Sequence, residues 1–217
     1  GVCPTLPFVD AASACSDAVT TTGQALERLG HDVTVSHPAA LDTLDYLYDY
    51  IVVIRTSHAV ELTKLARNLG HTWEQADMED GSWVNFQRGS KISAVDYATS
   101  IGRLHEWTRD VVRWWEEFDI LVTPTLATPP PEIGYLVEGE DRQRRDRLGQ
   151  TIPFTPQFNV TGQPAISLPM AESPDGLPIG VQCVGAPGRE DLLLRLALQL
   201  EGAVPWIDRR PSAWYGQ

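Results

Sequence analysis

The sequence predicts an α/β protein. Amphipathic helical patterns alternate with short apolar runs along the chain, the arrangement that places helices against a sheet. Residues 164–169 and 178–184 form two such runs that face each other across a polar Pro174-Asp175-Gly176 connection, which reads as strand, turn, strand. No internal repeat and no low-complexity tract interrupts this alternation.

The elements follow in order. Residues 11–29 read as a helix because Ala14, Ala18, Val19, Thr22, Ala25, Leu26 and Leu29 recur at helical spacing, with Gly30 where a terminating glycine belongs. Residues 31–36 alternate Val33 and Val35 with polar residues, so a strand is expected. Residues 41–69 read as a long helical stretch broken near residues 55–58, and 73–78 and 83–88 as short helices joined at Asp80-Gly81. Ser93-Ala94-Val95-Asp96 has the form of a capping box for a helix running to about residue 118, with Tyr97, Ile101, Leu104, Val111 and Trp115 in its apolar stripe. Residues 119–123 are a continuous apolar run, hence a buried strand. Pro124, Pro129, Pro130 and Pro131 impose an irregular loop, since proline fixes φ and removes a donor. Residues 132–150 are charged and partly helical. Residues 189–200 form a final helix with Leu192, Leu193, Leu196 and Leu200 on one side, followed by an extended tail marked by Pro205-Trp206 and Arg210-Pro211.

The 217 residues suit one large domain or two small ones, with ordinary apolar (42%) and charged (21%) contents. A net charge of −12 repels nucleic-acid phosphates over most of the surface, so no nucleic-acid partner is expected. Arg142, Arg144, Arg145 and Arg147 are interleaved with Glu138, Glu140, Asp141 and Asp146, a solvated mixed-charge segment. Cys3, Cys15 and Cys183 are odd in number and widely spaced, which is neither a disulfide framework nor a zinc pattern. Cys183 lies in an apolar run and reads as a small buried hydrophobe, so the expected compartment is reducing and cytoplasmic. No run approaches the length of a membrane-spanning helix, and no membrane partner is expected. The chain starts without an initiator Met, as an internal portion of a longer chain would.

Few constellations carry chemistry. There is no G-x-S-x-G elbow, no G-x-G-x-x-G and no P-loop. Glu74, Asp77, Glu79 and Asp80 lack the alternating loop pattern of a calcium site and read as a solvated acidic turn. The five histidines lack metal-ligand spacing, so neither a metal nor another cofactor is expected. Trp83 and Phe86 read as packing residues of amphipathic helices, with a cleft-lining role as the alternative.

Residues 159–185 are more specific. Asn159, Gly162, Pro164-Ala165, Ser167, Pro169, Gly176-Leu177-Pro178, Gly180, Gln182 and Gly185, followed by Glu190 and Leu193, resemble the C-terminal hallmark of the amidase signature family. Residues 119–125, DILVTPT, resemble the D-x-L-x-x-P-T strand that precedes it in that family, and a weaker resemblance runs from about residue 10 to Trp206. It implies the C-terminal part of the amidase-signature fold, a mixed central sheet covered by helices on both faces, with residues 1–217 forming part of a single domain.

It also implies hydrolysis of a carboxamide C–N bond through a serine acyl-enzyme, using a Ser nucleophile, a second Ser in a cis peptide and a Lys base. Such a base must be neutral, which requires a desolvated amine. Lys64 and Lys91 are the only lysines, neither precedes a Gly/Ser-rich loop, and no Ser-Ser dipeptide occurs. No catalytic residue is therefore carried over. Family members are about twice this length, with the triad in the N-terminal half. The expected partners are a small-molecule amide and that missing N-terminal half, and a homo-oligomer is compatible with the sequence.

By position in the family's loop on the acyl-binding side, Phe154, Thr155, Phe158 and Asn159 are implied substrate-binding residues, with plain core aromatics as the alternative for the two phenylalanines. Ile152 stands where the family's glutaminyl-tRNA amidotransferase branch has an Asp three residues before the Thr matching Thr155. That departure favours neutral or apolar amides over an ammonium-bearing substrate. A non-catalytic α/β module that binds a small molecule on the same fold is the second reading. Separated from an N-terminal half, the strands would expose an apolar face and unpaired edges, so aggregation, self-association or retention of that half is expected.

Overall fold

The computed structural model describes residues 1–210, and Pro211 of the predicted tail lies outside them. The chain divides into two compact units, one built from Gly1–Asp42 with the chain from Val112 onward, the other from Thr43–Val111.

The first unit holds the sheet. Helix α1 (Ser13–Arg28) ends as its sequence indicates, with Gly30 at φ +90°. Strand β1 (Ile120–Pro124) pairs antiparallel with β3 (Pro178–Gly185), which pairs antiparallel with β2 (Ala165–Glu172) on its other side, giving the order β1-β3-β2. The β2–β3 hairpin closes as the Pro-Asp-Gly connection requires. Gly176 takes φ +77°, its N–H donates to the Ser173 carbonyl, and the Leu177 N–H donates to Ser173 Oγ at 3.1 Å. Val2 extends the sheet beyond β1 through single parallel bridges to Val122 and Val35, the parallel element of an otherwise antiparallel sheet. The strand expected over residues 31–36 is thus reduced to one bridge, because among the described residues this segment has only Val2 beside it to pair with.

Alternation along the strands separates two faces. One face buries Val122, Leu168, Ile179, Val181 and Cys183 against Cys15, Ala18, Val19 and Leu26 of α1 and against Leu193, Leu196 and Leu200 of α7 (Glu190–Ala203). At about 25 cal/mol per Å2 of apolar surface removed from water, these side chains dominate the stability of the unit. The other face carries Thr123, Thr125, Ser167 and Gln182 and is partly covered by Phe154 and Phe158. Among the described residues, no further strand pairs with the outer edge of β2.

The charged segment forms α5 (Asp141–Thr151), whose start is closed by a capping box between Glu140 and Gln143. A short α6 (Pro156–Thr161) follows, an element the sequence reading left out although its punctuation is explicit: Pro156 at the first turn and Gly162 closing the helix at φ +68°.

The second unit is helical. Helix α2 (Leu47–Leu69) runs unbroken through residues 55–58, against expectation. The polar residues there are absorbed by neighbours. Thr56 Oγ1 donates to the Val52 carbonyl, Arg55 to Asn85 Oδ1, and His58 Nε2 lies 3.2 Å from the Ser82 carbonyl. Asn85 and Ser82 belong to α3 (Asp80–Gly89), which includes Asp80 and Gly81 in its first turn. Gly89 lets the two helices approach, since a Cβ there would lie 2.0 Å from the Arg55 carbonyl oxygen. Helix α4 (Ala94–Val112) begins at Ser93, whose Oγ accepts the Asp96 N–H at 3.0 Å, and its continuation to Glu116 is a 3-10 turn. Buried Asp49 of α2 is held by Ser100 Oγ at 2.7 Å and Arg103 at 3.7 Å, both on α4, and Tyr46 stacks on Trp107 at 4.5 Å.

Candidate functional site

The family-derived site residues lie on and just before α6. Proline at the first helical turn and glycine at the end confine this helix to six residues, so Thr155 and Asn159 are four apart and share one side. The structure buries Phe154 and Phe158, which are 1% and 5% exposed, with Cys3, Leu6, Leu41, Thr123 and Gln157 around them. Thr155 is half-buried and Asn159 exposed. The two aromatics thus form a floor under the loop, and the two polar residues lie nearer its surface.

A buried amide ties this loop to the sheet. Gln182, in the central strand, donates from Nε2 to the Phe154 carbonyl at 3.0 Å and to Thr123 Oγ1 at 3.1 Å, and Thr123 Oγ1 donates to the Pro124 carbonyl. Gln157 is 1% exposed; its Nε2 donates to the Pro153 carbonyl at 2.6 Å, while its buried Oε1 has no partner among the described residues. Further along the same sheet face, Thr125 Oγ1 and Ser167 Oγ lie 2.6 Å apart, above Gly180. The sequence reading included Gln182, Thr125 and Ser167 within its motifs but gave them no role. Strand register places all three on one sheet face, which also carries the buried apolar Leu121 and Val184.

Among the described residues, the cysteines and lysines supply no activated nucleophile or base. Both Cys3 and Cys183 are pushed up to about 12 by burial, and burial also raises Cys15, so these thiols stay protonated and unreactive. Lys64 is largely exposed beside Glu61 at 3.8 Å, and Lys91 is also exposed, so neither lies in the desolvated surroundings a lysine base requires. In the acidic turn, Asp77 accepts the Glu74 N–H and lies 2.9 Å from His71 Nε2. These contacts hold its carboxyl below the usual range. The described residues contain no cluster of three or more His, Cys, Asp or Glu able to hold a metal ion. Trp83 and Phe86 pack at 5.9 Å between ring centroids. No helix of the described residues is long and apolar enough to cross a membrane.

The 6-aminohexanoate-cyclic-dimer hydrolase of Paenarthrobacter ureafaciens is 41% identical over 206 residues, covering 91% of this chain and 42% of that protein. The hydrolase of the same name from Pseudomonas sp. (strain NK87) is 40% identical over the same length. The chain therefore spans about two fifths of the length of these relatives. The solved structure of 6-aminohexanoate cyclic dimer hydrolase complexed with substrate superposes with a TM-score of 0.91 at 39% identity, over 98% of this chain and 46% of that one. A bacterial aryl acylamidase of the amidase signature enzymes shares the fold, with a TM-score of 0.71 at 20% identity over 95% of this chain and 43% of that one. The amidase family model matches residues 1–194, and the chain belongs to the amidase signature family.

Proposed function

We infer that residues 1–217 are the C-terminal portion of a single amidase-signature domain, and that the complete protein hydrolyses a carboxamide C–N bond through a serine acyl-enzyme. The observation that carries this reading is the TM-score of 0.91 to a substrate-bound amide hydrolase of which this chain matches 46%. The nucleophile, the bridging cis-Ser and the Lys base belong to the N-terminal half, since this chain offers no Ser-Ser dipeptide and only two hydrated lysines. The present chain supplies core strands and one wall of the substrate pocket and is inactive alone.

Within that wall, Phe154 and Phe158 form the apolar floor, and Thr155 and Asn159 contact the acyl side of a small amide. Half-buried Ile152 presents no carboxylate beside Thr155, which favours neutral amides, because an ammonium group taken out of water without a counter-charge is strongly disfavoured. The unpaired outer edge of β2 supports docking of the N-terminal half on that side. The whole protein works in the cytoplasm without a cofactor.

The test is turnover of an aryl amide and of a cyclic aliphatic amide by the full-length protein, by this chain, and by a full-length variant with the upstream serine replaced by alanine. Activity confined to the first establishes the reading. Activity of the isolated chain, or full activity without the serine, refutes it.

A further inference from the structure

Helix α6 spans six residues, and its N-cap residue, Thr155, gives it no side-chain cap. A helix this short has no stability of its own in water, so contacts outside it must hold it. Phe154 and Phe158 are buried beneath Thr155 and Asn159, but apolar burial is non-directional and opposes sliding or rotation only weakly. Directional bonds act at both ends of the segment. Before α6, Gln182 Nε2 donates to the Phe154 carbonyl at 3.0 Å and to Thr123 Oγ1 at 3.1 Å. After it, next to Gly162, Gln163 Nε2 donates to the Gly185 carbonyl at 2.8 Å, and the Gly185 N–H donates to the Pro164 carbonyl at 3.0 Å.

Both glutamines are 6% exposed, so little water competes for these bonds. The Gln182 amide has two Nε2 protons. One goes to β1 and the other to the segment leading into α6, which fixes the orientation of the amide. Gln182 and Gly185 both belong to β3, the central strand, which is paired on both sides. The two ends of the α6 segment are therefore fastened to the strand of this sheet that is least free to shift.

We propose that Gln182 and Gln163 are positioning residues, two buried amide clamps that fix α6 on β3 and thereby set how the acyl chain of an amide substrate lies along Thr155 and Asn159. Each acts through the backbone it holds and not by touching the substrate. The acyl-chain role rests on the amidase reading, whereas the clamps are bonds within this chain. Freeing one end lets α6 shift, and a displacement of about 1 Å can lower a rate up to about a hundredfold. A long acyl chain lying along α6 feels that shift more than an acetyl group does.

The full-length protein and its Gln182→Leu and Gln163→Leu variants are compared on the para-nitroanilides of hexanoic and acetic acid, which share a leaving group and differ only in the acyl chain. The expected result is a fall of about tenfold in the hexanoyl-to-acetyl ratio of kcat/KM in each variant, carried mainly by the hexanoyl substrate. Gly89→Ala, destabilised in the helical unit, should keep the parent ratio, which separates positioning from loss of stability. An unchanged ratio in both glutamine variants, an equal fall in Gly89→Ala, or a parent that cleaves only the acetyl substrate overturns the proposal. Amide hydrogen exchange across α6 is read on the same samples. A full-length protein that cleaves neither anilide would sink the amidase reading, and exchange then decides the clamps: at least about tenfold faster exchange in both variants sustains them, and unchanged exchange overturns them.

Discussion

Replacing Gln182 by leucine tests the link between the sheet and the candidate substrate loop. Gln182 is 6% exposed, and its Nε2 donates at 3.0 Å to the Phe154 carbonyl and at 3.1 Å to Thr123 Oγ1. Leucine keeps most of the volume and removes both bonds. The buried Phe154 carbonyl then loses this donor, a loss of about 1–3 kcal/mol. Thr123 loses less, because its hydroxyl still donates to the Pro124 carbonyl at 2.9 Å. The added apolar burial returns part of this, so net destabilisation should be about 1–2 kcal/mol. Urea unfolding of the full-length protein measures the global effect, and amide hydrogen exchange across α6 measures the local one. Because the Phe154 carbonyl lies immediately before Thr155, α6 should lose more protection than β1 or β3. Destabilisation below about 0.5 kcal/mol, within the range of an ordinary surface change, with unchanged exchange at α6, would refute the claim that Gln182 holds the loop.

Other perturbations test other parts of the fold. Gly89→Ala places a Cβ 2.0 Å from the Arg55 carbonyl oxygen, a rigid backbone atom, so α2 and α3 must separate at a cost of about 2–3 kcal/mol, read as a lowered melting temperature. Gly162→Ala should cost about 1 kcal/mol by the same assay, because the residue sits at φ +68° and open space surrounds it, leaving conformation as the only penalty. The three thiols should resist a thiol reagent at pH 8 in the native state and react fully in denaturant, since burial keeps all of them protonated. With Cys3 and Cys183 near 12 when folded and near 8.5 when unfolded, the unfolded chain loses protons first, so stability should fall as pH rises from about 9 to 12. A flat melting temperature over that window would contradict this.

The sequence by itself determined the elements whose signals are local. Helical spacing with Gly30 placed α1, the Pro-Asp-Gly turn placed the β2–β3 hairpin, and the apolar run before Pro124 placed β1. Family membership was equally legible, because literal residues spaced along the hallmark carry it. Local signals fail where distant neighbours change the outcome. Residues 55–58 look like a helix break, yet α3 supplies partners for Arg55 and His58 and the helix continues. Val33 and Val35 alternate like a strand, yet among the described residues only Val2 bridges to this segment.

The candidate site divides in the same way. Its loop residues were named from resemblance, but only the fold shows Phe154 and Phe158 buried beneath Thr155 and Asn159. The Thr125–Ser167 pair joins residues 42 positions apart, and Gln182 reaches Thr123 across 59. Such contacts depend on strand register, and a one-residue slip would turn every one of these side chains to the opposite face. Register is set by packing against α1 and α7, so the face shared by Thr123, Thr125, Ser167 and Gln182 and the room at Gly180 exist only once the tertiary structure has formed.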